Sequence, residues 1–121
     1  MDTSVPYVGV IMEKTDPTVY PRYALPDGYR FATDFTDLCS MWCRVQIAAG
    51  HIDDIQKAEQ VFRAEFGGRC REWPSRFALA LDSAGNPVGV AAVWFGEHFG
   101  RTLQRIHWVG VDQAHGGKGI A

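Results

Sequence analysis

The chain has 121 residues, enough for one domain or part of one, and its 12 Lys+Arg against 14 Asp+Glu leave a formal net charge of −2. That balance argues against a nucleic-acid binder, which usually carries a basic excess or a basic stripe. No apolar run approaches the roughly 18 residues of a membrane span, and Asp2, Glu13 and Asp16 break up any secretory signal.

Residues 1–24 contain Pro6, Pro17 and Pro21 around the short apolar run 8–12, and read as an extended N-terminal arm with room for one strand. Leu25-Pro26-Asp27-Gly28 is turn chemistry, because Pro sets φ and Gly supplies positive φ. Residues 29–33 alternate and predict a first core strand. A helix follows, with Asp34 and Thr36 as candidate N-caps, Leu38, Met41, Trp42, Val45, Ala48 and Ala49 at helical spacing, and Gly50 as its stop. Cys39 and Cys43 lie one helical turn apart on it. With Cys70 they make an odd number, which is not a disulfide framework and makes the cytoplasm the default compartment.

A second helix opens at Asp53 or Asp54, turns Ile55, Ala58, Val61, Phe62 and Phe66 inward, and ends at Gly67-Gly68. Arg63, Arg69, Arg71 and Arg76 then read as a solvated basic face. Residues 77–81 predict a strand, 82–86 a turn, and 87–95 a strand buried on both faces, the pair forming an antiparallel hairpin. A looser loop over 96–101 holds Glu97 and His98. Residues 102–111 predict another strand, whose alternation puts Leu103, Arg105, His107, Val109 and Val111 on one face and Gln104, Ile106, Trp108 and Gly110 on the other. The expected class is α+β: a mixed, mainly antiparallel sheet with two N-terminal helices.

The stretch that carries chemistry is the last, Gly116-Gly117-Lys118-Gly119-Ile120-Ala121 after a strand ending at Val111. Glycines let the backbone turn tightly and approach a ligand closely, and unpaired N–H groups at a helix start attract phosphate. A Walker loop fails because Gly119 follows Lys118 where Ser or Thr must hold Mg²⁺. A dinucleotide fingerprint fails because hairpin-like strands, not a parallel βαβ unit, precede the glycines. No Cys or His spacing matches a zinc site, so no metal is expected. Trp42, Trp73, Trp94 and Trp108 read as core aromatics, and His115 as a capping or surface residue.

The ending resembles motif A of the GNAT acyltransferase superfamily, Arg/Gln-x-x-Gly-x-Gly/Ala, laid on residues 116–121. Gly119 and Ala121 match, and Gly116 stands where Arg or Gln is usual. The upstream order agrees: a strand, two helices, a hairpin and the motif strand. Leu-Pro-Asp-Gly-Tyr, Arg-Ile-His-Trp-Val and His-Gly-Gly-Lys-Gly-Ile-Ala look like one bacterial branch of the superfamily. The resemblance covers residues 25–121, after the arm of 1–24.

The resemblance implies an N-acetyltransferase that takes acetyl-CoA and an amine, with direct attack of the amine on the thioester and no acyl-enzyme. Backbone amides of Gly116, Gly117, Lys118, Gly119, Ile120 and Ala121 would hold the pyrophosphate, with Lys118 adding charge. The backbone of Val109, Gly110 and Val111 would pair with the pantetheine arm. An alkylammonium must lose a proton before it attacks. His107, read as sharing a face with Val109 and Val111, is the first candidate base, and Glu97 acting through water is the second. The competing reading of His107 is a strand histidine packed beside Trp108.

Members of that superfamily continue past this motif with a helix, a splayed strand and more, so the chain is expected to be the incomplete N-terminal part of such a domain, poorly active alone. The last strand then becomes an open sheet edge, prone to associate, which leaves room for a homodimer. The alternative is a non-catalytic remnant or interaction module that pairs this edge with a partner.

Overall fold

In a computed structural model, residues 12–16, 18–19 and 23–121 are described. The strand expected within 8–12 lies outside them apart from Met12. The four strands are β1 (Arg30–Phe31), β2 (Phe77–Leu81), β3 (Pro87–His98) and β4 (Arg101–Val111). They form one antiparallel sheet in the order β1-β2-β3-β4, so β4 is an edge. Helices α1 (Leu38–Ala48) and α2 (Ile55–Phe66) lie between β1 and β2 in the chain.

The 29–33 alternation yields only two paired residues in β1. Ala32 still donates to the Leu79 carbonyl (2.8 Å), but Asp34 then captures both the amide and the hydroxyl of Thr36 in a side-chain turn. Asp34 and Thr36 therefore do not cap α1. Asp37 flanks it without a side-chain bond. Asp54, in contrast, caps α2 through the Lys57 amide at 2.8 Å. A kinked 3-10 segment (Gly67–Glu72) and a single turn, α3 (Trp73–Arg76), return the chain to β2. Within the basic stretch, Arg69 and Arg76 stack on the Phe95 ring at 4.3 and 4.2 Å and share Glu72, so two of the four arginines are packed rather than simply solvated.

Both helices cover one face of the sheet. Trp42, Phe62, Phe66, Phe77 and Trp94 interlock there with ring centroids 5.0–6.4 Å apart. Ile55, expected inward, is nearly half exposed because it sits on the first turn of α2, ahead of the buried Ala58. The opposite face carries small residues, Ala78, Ala80 and Gly89, and a shallow groove shared with Phe31, Val109, Val111 and Ile120. Phe31, Val93, Ile106 and Val109 remain exposed.

The loop expected over 96–101 is not loose. Strand β3 runs to His98, and Phe99 and Gly100, at φ +54° and +73°, make a two-residue turn of the handedness that hairpins prefer. His98 is accordingly a half-buried strand residue paired with Arg101, not a solvated loop residue.

Candidate functional site

The site is built where β4 stops pairing regularly. Ala92 faces His107 and Val90 faces Gly110, so the single residue Ala91 lies opposite both Trp108 and Val109. Such a bulge bends the strand and leaves backbone groups off the ladder. Trp108 absorbs the extra residue at φ +51°, a left-handed conformation that costs an L-residue about 1–2 kcal/mol.

What holds it is α1. Gln46 is fully buried, and its Nε2 donates to the Trp108 carbonyl at 3.0 Å. Its Oε1 accepts from His51 Nδ1 at 2.7 Å, so both ends of the buried amide are satisfied. The Trp108 indole packs against Trp42 at 5.3 Å. Gln46 escaped the sequence reading because it is polar, although its i+4 spacing from Trp42 places it on the inward face.

The bulge also corrects the predicted alternation. An extra residue reverses every side chain beyond it. His107, Trp108 and Gly110 therefore all face the helices: His107 and Trp108 make ring contacts with Phe66 and Trp42, and a Cβ on Gly110 would lie 3.2 Å from the Gln46 amide. Val109 and Val111 line the helix-free groove. His107 does not share their face.

Beyond β4, Asp112 caps a 3-10 turn (Gln113–His115) through the Ala114 amide, and the glycine loop begins. No regular helix starts within residues 116–121; the loop is a run of turns with Gly117 and Gly119 at φ +71° and +75°. Only glycine takes up such angles cheaply. Among the described residues, the amides of Gly117, Lys118, Gly119, Ile120 and Ala121 donate no hydrogen bond, whereas Gly116 donates to Gln113. Five successive N–H groups are thus unpartnered.

Two anchors hold this loop to the sheet. Ile120 seats over Gly89 so closely that a Cβ there would lie 2.8 Å from its Cγ2. Tyr29, just after the Pro26–Gly28 turn, bonds His115 Nδ1 through its hydroxyl at 2.8 Å, and Lys118 Nζ makes a longer contact of 3.4 Å to the same oxygen.

On the helix side of β4, His107 Nε2 lies 3.1 Å from Glu65 Oε2 on α2 and 3.4 Å from Arg105 Nη2. The sequence reading missed Glu65, which is 42 residues away. Among the described residues, Arg105 Nε and Trp108 Nε1, one on each side of His107 in the strand, are buried without a hydrogen-bond partner. Glu97 stands apart from this group. It accepts a short hydrogen bond from Thr102, five residues along β3 from Ala92, the partner of His107, about 17 Å at the usual strand rise.

Cys43 offers no nucleophile. Burial, with neighbouring Cys39 adding to it, pushes the Cys43 thiol up to about 12. Among the described residues no three His, Cys, Asp or Glu side chains converge as a metal site, and no helix is long and apolar enough to cross a membrane.

No family profile matches the chain, and no curated protein matches it in sequence. A solved structure does match in fold. It is that of a "putative acetyltransferase" from Pyrococcus horikoshii, with a TM-score of 0.59 over 85% of this chain at 17% identity. The chain spans 34% of that protein's length. The mixed helix–sheet architecture is therefore acetyltransferase-like.

Proposed function

We propose that the chain carries the acyl-donor side of a GNAT-type N-acetyltransferase, which transfers acetyl from acetyl-CoA to an amine. The row of five unpartnered amides, closing a bulged strand at an open sheet edge, is the observation that carries this reading. Successive unpartnered N–H groups in a glycine loop suit a diphosphate, and Lys118 adds a positive charge beside them. The open edge of Val109, Gly110 and Val111 suits an extended amide-containing arm, which would add to the sheet as a further strand. The acetyltransferase-like fold supports the same donor.

Bound acetyl-CoA would supply an activated thioester. The chain's residues must then deprotonate an ammonium and steady charge on the thioester oxygen. A backbone N–H at the bulge would suit the second task. We assign the first to His107, one residue from the bulge, rather than to Glu97 at the far end of the hairpin.

A ¹H–¹⁵N correlation spectrum of the chain titrated with acetyl-CoA tests the reading. The amides of 117–121 and 109–111 should shift together and saturate, and shifts scattered elsewhere would reject it. A second reading, a non-catalytic interaction module, draws on the exposed apolar residues Phe31, Val93, Ile106 and Val109. It predicts concentration-dependent association with no response to acetyl-CoA.

A further inference from the structure

We infer that Glu65 is a positioning residue for His107: it holds the imidazole in its Nε2–H tautomer, so that Nδ1 presents the basic lone pair to the acceptor amine. The inference rests on the reading of His107 as the base. Two contacts on the same ring nitrogen carry it. Glu65 Oε2 lies 3.1 Å from Nε2, and Arg105 Nη2 lies 3.4 Å from it. An ionised carboxylate only accepts and a guanidinium only donates, so one Nε2 cannot serve both.

The carboxylate has the stronger claim. Its contact is shorter and charge-assisted, whereas 3.4 Å between two nitrogens is long for a hydrogen bond, and the guanidinium has other N–H groups to turn elsewhere. Nε2 therefore carries the proton and donates it to Glu65. The partner of one ring nitrogen sets the state of the other, and Nδ1 has no hydrogen bond among the described residues.

The chemistry balances. The acceptor ammonium gives one proton to Nδ1, and the resulting imidazolium is steadied by the Glu65 carboxylate. The freed amine lone pair forms the C–N bond, the C–S bond breaks, and one of the two protons on the adduct nitrogen passes to the departing thiolate, while the other stays as the amide N–H. The imidazolium returns its proton to solvent.

The test is the ¹⁵N signature of the His107 ring in the labelled chain, read in the wild type and in Glu65→Ala, with and without acetyl-CoA. The wild type should show the Nε2–H tautomer. Glu65→Ala leaves Arg105 as the remaining partner of Nε2, and the ring should switch to Nδ1–H. Glu65 is exposed, so the variant should keep the wild-type amide spectrum away from the ring. In the wild type the ring signals should also move when acetyl-CoA saturates the loop.

A wild-type ring already in the Nδ1–H form, or a tautomer indifferent to Glu65→Ala, overturns the inference. So does a ring that stays still while the amides of 117–121 respond. Amides of 117–121 that ignore acetyl-CoA sink the functional reading itself, a result visible in the same spectra and independent of the tautomer.

Discussion

From Arg101 to His107, β4 pairs residue for residue with β3, while from Trp108 onward it is bulged, strained at one φ angle and tied down by a buried glutamine from α1. The first half needs only local information: a tight turn and a two-residue period. The second half exists because another element, 62 residues away in the chain, supplies a hydrogen bond to an off-ladder carbonyl. Strain held by distant support is a common mark of a working site. The unpartnered amides, the His107–Glu65 contact and the loop anchors all lie at or beyond the end of the regular half.

The contrast breaks most sharply at Gln46. Gln46→Leu keeps the volume but leaves the Trp108 carbonyl and the His51 ring without their partner, which should cost about 1–3 kcal/mol. Urea unfolding measures that loss, and the amides of Val109 and Gly110 should exchange faster while those of residues 102–106 do not. Equal acceleration along β4 would mean that the bulge has no separate support.

Gly119→Ala should act on the ligand rather than on the fold. Its Cβ meets nothing within 4 Å, but φ +75° costs an L-residue about 1–2 kcal/mol. A free loop can relax away that strain and a bound one cannot, so acetyl-CoA affinity should fall about 5- to 30-fold with the melting temperature unchanged. Calorimetric titration reads the first and a thermal melt the second.

At the regular end the expected sign is opposite. Phe99 is exposed and held at φ +54°. Phe99→Asn creates the Asn-Gly pair that such turns favour and should stabilise the chain by about 0.5–1 kcal/mol, with no effect on acetyl-CoA binding. A change in that binding would show that the two ends are coupled.

The smallest effect concerns the other hairpin. Hydrogen bonds from the Asn86 side chain, then from the Asn86 and Ala84 amides, hold the Asp82 carboxyl below its ordinary value of 3.8. A depressed folded-state value means this group stabilises the protein above about pH 4, and the contribution is lost as pH falls through the folded value. Asp82→Asn should lower stability slightly at neutral pH and leave it almost unchanged in acid, so the acid limb of stability against pH flattens. An acid limb of unaltered slope would count against the role.

Much of this architecture was written locally. Residues 77–81 form the strand expected of them, Gly50 and Gly67 follow the two helices, and Asp54 caps α2 as its type suggests. Each feature depends on neighbours within a few positions. Where reading by period failed, at the 96–101 turn and beyond His107, one residue of bulge or turn changed the register, and a period-two pattern carries no signal for that.

The sequence by itself determined the elements, their order and the glycine loop, because periodicity, capping and turn chemistry act over a few residues. Only the tertiary structure decided which face His107 occupies, that Gln46 pins the Trp108 bulge and that Glu65 meets the imidazole. Those outcomes depend on contacts 42 and 62 residues apart in the chain, and packing two helices on one side of a sheet is what brings such residues within hydrogen-bond reach.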